Sequence, residues 1–304
     1  MPPWAASDIP DQSGRTAVVT GANSGIGYCA ALELARSRAH VVLATRSPER
    51  GSEALQSIRA AVPHASVELA SLDLADLDSV RSFVEALQHE RIDLLVNNAG
   101  VMALPYRKTV QGFEMQLGTN HLGHFALTGL LLGRLAPDAR IVNVASHAHR
   151  IGVMRWSDLQ SERFYQRWLA YGQSKLANLL FTFEAARRLA RAGSGVLSVA
   201  CHPGFSSTHL LLKGAEMDGN PLKRWLWSVP NRLVAQSSEM GALPTLYAAT
   251  HPEIVSGDYT GPRGPFEIWG HPRKVGSNRA SRDEAAGQQL WEVSEALTGV
   301  RWLD

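Results

Sequence analysis

"RTAVVTGANSGIGYCAALELARSR", residues 15 to 38, decides how the rest of the chain is read. Its opening, "TAVVTG", is a short run rich in β-branched residues, which predicts a strand covered on both faces. "GANSGIG" follows at 21 to 27, and apolar residues at helical spacing come next, so the segment reads as strand, glycine turn and helix. That succession is the first half of a βαβ unit, whose crossover is right-handed. Gly21 suits the tight turn, Gly25 lets backbone approach a phosphate, and Gly27 allows the helix to pack closely. With Asn23, Ser24 and Ile26 they form the candidate pyrophosphate cradle, because N–H groups at a helix start carry partial positive charge. The spacing is GxxxGxG, not GxGxxG, so this turn taken alone also suits a purely structural role.

The same alternation continues. "HVVLATR", "ASVELASLDL", "IDLLVNNAG", "ARIVNVAS" and "GVLSVAC" read as buried strands, with amphipathic segments between them; Ser47 is an N-cap with Pro48 at the first helical position. The expectation is an α/β fold: a single Rossmann-type domain over 1–304, with a doubly wound parallel sheet of about seven strands in the order 3-2-1-4-5-6-7 and helices on both faces. A late strand near "GDYTGP" and a terminal helix around 282 to 297 complete it. Residues 1–14 read as a surface arm and 206–250, irregular and helical, as a substrate lid.

The totals exclude several classes. Thirty Lys plus Arg against 28 Asp plus Glu give a net charge of +2 without long blocks of one sign, so no nucleic-acid partner is expected. Cys29 and Cys201 stand far apart, which argues for buried thiols in a reducing compartment. The N-terminus lacks the apolar core of a signal peptide, and "FALTGLLLG" is about half the roughly 20 residues of a membrane span, so no transmembrane segment and a cytoplasmic protein are expected.

Chemistry gathers at strand ends, where doubly wound sheets bind ligands. After the second strand, where an acid would bind the 2′-hydroxyl of NAD, stands Arg46, with Arg50 nearby. A guanidinium suits a 2′-phosphate, so NADP(H) is expected over NAD(H). Asp73 and Leu74 follow the third strand, where they would meet adenine, and Asn98, Ala99 and Gly100 follow the fourth, beside a ribose. Tyr171 and Lys175 lie four residues apart on one helical face. An ammonium there lowers the pKa of the phenol, fitting it to exchange a proton with a carbonyl or an alcohol. Ser146 ends the fifth strand, placed to hydrogen-bond the substrate oxygen, and Asn120 would support the helix backbone and a water leading from Lys175. His147 and His149 have no carboxylate or third ligand at recognisable spacing, so neither a metal site nor a Ser-His hydrolase is expected; both read as cleft or surface histidines.

"TGANSGIG", "NNAG", Asn120, Ser146, "YGQSK" at 171 to 175 and "HPGFSST" at 202 to 208 together resemble the short-chain dehydrogenase/reductase superfamily. The resemblance implies catalytic roles for Asn120, Ser146, Tyr171 and Lys175, and places Pro203, Gly204 and Thr208 beside a nicotinamide. Ser206 stands where the family often has an aliphatic residue, which weakens the inference about carboxamide contacts. Ser146 and Tyr171 are 25 residues apart, about twice the usual interval, so "HAHRIGVMRWSDLQSERFYQRWLA" is an insertion. With "YGQSKLANLLF" and "ATRSPERG" it is similar to the retinol dehydrogenase and WW-domain oxidoreductase branch. Tyr165 is excluded as the catalytic tyrosine, since Leu169 stands four residues on.

Substrate choice is assigned to "MALPYR" at 102 to 107, to Trp156, and to Leu210, Leu211, Leu212, Trp225 and Trp227, an inventory that favours a lipophilic aldehyde, ketone or alcohol, retinoid-like or steroid-like. The alternatives are a catalytically silent NADPH-binding protein and a nucleotide-sugar epimerase or dehydratase. The apolar faces of 112–136 and 171–190 are where the resemblance places a homodimer contact, with a monomer as the alternative.

Overall fold

The computed structural model describes residues 3–205 and 236–303. Eight strands form one sheet: β1 (Thr16–Thr20), β2 (His40–Thr45), β3 (Val67–Ser71), β4 (Ile92–Asn97), β5 (Leu135–Val144), β6 (Leu197–Cys201), β7 (Tyr259–Pro262) and β8 (Pro272–Lys274). Their order is β3-β2-β1-β4-β5-β6-β7-β8. The first seven run parallel in the expected order. An eighth, antiparallel to β7, extends the edge. It has three residues and begins with a proline, which an edge strand tolerates and a hydrophobic pattern cannot reveal.

Alternation along each strand divides the core into two layers. Ala17 and Val19 of β1, Val41 and Leu43 of β2 and Leu94 and Val96 of β4 face helices α1 (Gly25–Arg36) and α6 (Ser238–Thr250). Val18, Val42 and Leu95, one residue out of step, face α3 (Leu77–Ala86) and α4 (Gly123–Leu131) through Val80, Phe83, Phe125 and Leu127. Both faces are covered, which is why the strands read as uninterrupted apolar runs. Local signals fix the helix ends. Ser47 accepts from Arg50 N to start α2 (Pro48–Ala61), Asp283 caps α7 (Glu284–Thr298), and Gly299 at φ +67° ends it in the left-handed region.

Two expectations need correction. The N-terminal arm is docked, with Ile9 buried in the first core layer, Trp4 edge-on to Tyr247 at 5.2 Å, and Trp4 O 2.9 Å from His271 Nδ1. The interval 206–250 is not a lid throughout: Ser238–Thr250 is a core helix, packed by Leu243, Leu246 and Ala249. Residues 206–235, including Leu210, Leu211, Leu212, Trp225 and Trp227, lie outside the described residues. Around Phe125, Gly129 and Phe181, part of the apolar surface of 112–136 and 171–190 is packed within the chain. Trp291 of α7 and Trp302 meet Phe125 and Phe181 in edge-on and tilted ring contacts, and an added Cβ on Gly129 would lie 2.5 Å from the Trp302 ring. Each such aromatic pair adds about 0.5–1.5 kcal/mol beyond its buried area, so the C-terminal segment holds this face firmly.

Candidate active site

A cavity of about 860 Å³ opens over the carboxyl ends of the parallel strands. Its walls take Gly21, Asn23, Ser24, Gly25, Ile26 and Gly27 from the turn after β1, and Arg46 and Arg50 after β2. Asp73 and Leu74 come after β3, and Asn98, Ala99 and Gly100 after β4. Ser146 after β5, Tyr171 and Lys175 from α5 (Arg167–Arg191), and Pro203 and Gly204 after β6 complete it. Of the residues the sequence singled out, Asn120 lies behind the wall and Thr208 falls outside the described residues.

The turn after β1 is shaped for close approach. Gly21 and Gly25 have φ of +67° and +58°. A Cβ on Gly27 would stand 2.4 Å from Asn98 Nδ2 and 2.5 Å from Gly21 O, so only glycine fits. Asn98 Nδ2 donates to Thr20 O at 2.8 Å, and the N–H groups of Asn98 and Ala99 both donate to Thr20 Oγ1 at 2.9 Å. Thr20 Oγ1 also lies 2.9 Å from His124 Nε2. Thr20 and His124 therefore bind the two crevice-forming strand ends together, a role that sequence reasoning missed. The available signal was Asn120 and His124 at i, i+4; His124 Nδ1 is 3.1 Å from Asn120 O. Burial pushes the His124 pKa down to about 4, which keeps the ring neutral.

This crevice fits a dinucleotide on its own features. Ser24 is the N-cap of α1, yet its side chain makes no cap bond, leaving the hydroxyl free at a helix N-terminus. Among the described residues, Arg46 has no ion-pair partner, although it is exposed at the cavity wall.

Asn120 sits in a π-helical turn, Gly118–Leu122, and works through protein contacts. Its side chain accepts from Val101 N at 2.8 Å and donates to Val101 O at 2.9 Å and to Ser174 Oγ at 2.9 Å. Ser174 Oγ in turn donates to Tyr171 O at 2.8 Å, so Asn120 ties the loop after β4 to α5. A Cβ on Gly100 would lie 3.1 Å from Asn120 Oδ1 and 3.6 Å from Lys175 Nζ, so both side chains pack close against that loop.

The expected acidification of Tyr171 by Lys175 is not seen. Burial raises the phenol to about 12, opposed by a hydrogen bond with Ser146, and burial lowers Lys175 to about 8. Lys175 Nζ donates to Val144 O at 2.8 Å and lies 5.8 Å from the Tyr171 ring centroid. Removing water from the phenolate outweighs what an ammonium at that distance returns. Ser146 Oγ also accepts from Ala148 N at 3.2 Å, capping the short helix His147–Ile151 and thereby fixing its own position.

The remaining wall is largely apolar: Met102, Leu104, Met115, Trp168, Phe205 and Ile268, with Arg107 at one side. Trp156 is not part of it. It packs beside Leu117, Leu176 and Leu180, so the insertion contributes core as well as wall. Tyr165 donates to Leu104 O at 2.6 Å, a positional role. His149 is fully buried with Nδ1 2.7 Å from Ser146 O, neither a cleft nor a surface residue. Two partners of His147 escaped the sequence reading, Glu267 and His202, because they lie 120 and 55 positions away. Glu267 Oε2 lies 3.3 Å from His147 Nε2, 3.2 Å from His202 Nε2 and 3.6 Å from Arg150. Contact with His202 holds the carboxyl below its usual value. His202 Nδ1 accepts from Gly204 N, so the neutral ring carries its proton on Nε2 and cannot ligate a metal there. The cluster thus joins the segments after β5, β6 and β7 around the cavity.

Residues 15–218 match the family model described as short chain dehydrogenase. Retinol dehydrogenase 12 of Homo sapiens is 42% identical over 295 residues, covering 95% of this chain and 88% of that protein. Retinol dehydrogenase 11 of Homo sapiens is 41% identical over 293 residues, covering 94% and 86%. A crystal structure of an uncharacterized protein from Mycobacterium paratuberculosis is similar with a TM-score of 0.83 and 43% identity, 98% of each chain being covered. Another, from Beutenbergia cavernae, is titled as an NAD(P)-dependent gluconate 5-dehydrogenase with bound NADP; it has a TM-score of 0.61 and 28% identity, covering 81% of this chain and 94% of that one. With the sheet order, the crevice and these likenesses in agreement, the chain belongs to the short chain dehydrogenase family, in its retinol dehydrogenase-like branch.

Proposed function

We propose that this protein is an NADP(H)-dependent oxidoreductase, acting on the carbonyl or alcohol group of a lipophilic small molecule, with Asn120, Ser146, Tyr171 and Lys175 as its catalytic set. The observation that carries the reading is one continuous cavity lined by the glycine cradle, by Arg46, and by Ser146, Tyr171 and Lys175. Gly21, Asn23, Ser24, Gly25, Ile26 and Gly27 would hold the pyrophosphate. Arg46 would pair with the 2′-phosphate, Asp73 and Leu74 would border adenine, and Asn98, Ala99 and Gly100 would border the ribose. Pro203 and Gly204 would flank the nicotinamide, joined by Thr208 from outside the described residues.

When bound, the cofactor supplies or accepts the hydride. Tyr171, protonated across the neutral range, donates its proton to the substrate oxygen in reduction and takes one back in oxidation. Ser146 donates a second hydrogen bond to that oxygen, stabilising charge that develops there. Lys175, still largely charged at pH 7, favours the phenolate left behind and holds ribose hydroxyls. Asn120 keeps α5 and the loop after β4 in register.

The apolar wall supports a lipophilic substrate. No described helix is long and apolar enough to cross a membrane; with two buried free thiols, Cys29 and Cys201, this is consistent with a cytoplasmic location. The test is oxidation of NADPH against a panel of lipophilic aldehydes and ketones, repeated with Tyr171→Phe. Wild type turns over, and the variant binds NADPH with turnover lower by about 10²–10⁴-fold. Tight NADPH binding without turnover on any substrate would favour a silent binding protein; activity on a nucleotide sugar without net NADPH oxidation would favour an epimerase or dehydratase.

A further inference from the structure

At the amino ends of the strands, away from the crevice, His40, Glu68 and His89 converge. His40 opens β2 and Glu68 is the second residue of β3. Glu68 is in register with Val42, so His40, two residues earlier, projects from the same sheet face as the diagonal neighbour of Glu68. His89 comes from the segment between α3 and β4 that closes over this face. His89 Nε2 lies 2.9 Å from Glu68 Oε1, His40 Nε2 lies 3.8 Å from Glu68 Oε2, and the two imidazole centroids are 4.6 Å apart.

We infer that these three side chains form a site for a divalent transition-metal ion of the zinc class. His40 Nε2 is shielded from water and makes no hydrogen bond. Its Nδ1 is 2.7 Å from Ser66 Oγ; in the tautomer that donates Nδ1–H to that oxygen, the Nε2 lone pair is left for an ion. A tetrahedral Zn²⁺ with bonds of about 2.0–2.2 Å sets its ligand atoms about 3.3–3.5 Å apart. The two Glu68 pairs, at 2.9 and 3.8 Å, bracket that range, and all three ligand atoms lie within 4.8 Å of one another, so turns of the Glu68 carboxylate and the two rings close the site. Two imidazoles and one carboxylate suit Zn²⁺, Ni²⁺ or Cu²⁺, and not Mg²⁺ or Ca²⁺, which require oxygen sets. All three side chains are partly exposed, leaving a face on which water completes the coordination. The ion staples edge strand β3 to β2 and to the approach to β4, at a distance from Tyr171 and Lys175, so its effect is on stability and not on turnover.

The test uses the full chain without a polyhistidine tag, stripped with chelator. Isothermal titration with ZnCl₂ should give one equivalent bound, and each tenfold excess of free Zn²⁺ over its dissociation constant should raise the melting temperature by about 2–4 °C. Co²⁺ should give the visible absorption of a low-symmetry site containing nitrogen ligands. His40→Ala and Glu68→Gln, both half-exposed positions that should leave folding intact, should each weaken Zn²⁺ by at least tenfold, while His147→Gln should leave the affinity unchanged. MgCl₂ should produce no shift. Unchanged Zn²⁺ affinity in His40→Ala and Glu68→Gln, or loss only in His147→Gln, would overturn the assignment, as would the absence of measurable Zn²⁺ binding to the wild-type chain.

Discussion

Replacing Gly27 by alanine tests whether the crevice is built as described. The added methyl group would sit 2.4 Å from Asn98 Nδ2 and 2.5 Å from Gly21 O, where carbon contacts normally begin near 3.5 Å, so each neighbour must retreat by about 1 Å. Gly21 O is backbone in a turn already at positive φ, and has little room to move. Asn98 Nδ2 yields only by giving up its bond to Thr20 O. Overpacking of this kind costs about 1–3 kcal/mol, and the lost hydrogen bond about 1 kcal/mol more. A destabilisation of about 2–4 kcal/mol should lower the melting temperature by roughly 3–12 °C. Displacing the cradle by about 1 Å should also cost on the order of 10²-fold in turnover. The assay pairs thermal melting with NADPH titration and steady-state kinetics. Gly133→Ala is the control, since nothing lies within 4 Å of the added carbon, and it should melt within about 1 °C of the parent. A Gly27→Ala protein with unaltered melting and unaltered NADPH affinity would refute the geometry assigned to this turn.

Three further outcomes follow from the same structure. Arg46→Asp should lower the NADPH-to-NADH preference by at least about tenfold, because a charge-assisted contact is replaced by like-charge repulsion; an unchanged ratio would remove Arg46 from cofactor selection. Burial holds His121 at about 3 and His124 at about 4, below the ordinary 6.5. The unfolded chain therefore takes up protons as pH falls through 6.5 while the folded chain does not, and stability should drop by several kcal/mol between pH 6.5 and 4.5, with a shallower slope for His124→Asn in urea titrations. Reductive turnover should fall as pH rises through about 8, where Lys175 loses its proton, while Tyr171 at about 12 remains protonated. The profile of Lys175→Met, at its lower rate, should lack that inflection.

Local patterns along the chain encode the parallel sheet, its order through seven strands, and the positions of Gly21, Arg46, Asn98, Ser146, Tyr171 and Lys175 at one end of it. These were legible because strand burial, turn chemistry and helical spacing are local patterns, and a doubly wound topology converts sequence order into a shared crevice. Tertiary structure alone decided the remainder. The phenol and the amine differ from the expected pair because burial, which no spacing encodes, dominates both. Glu267 reaches His147 and His202, and His40 reaches Glu68 and His89, from segments whose separations carry no signal. Trp291 and Trp302 were unremarkable letters near the C-terminus, yet they complete the core layer around Phe125 and Phe181. Local sequence sets which side of an element is apolar; which part of the chain arrives to cover it depends on the packing of the whole, where the contacts are long-range and non-directional.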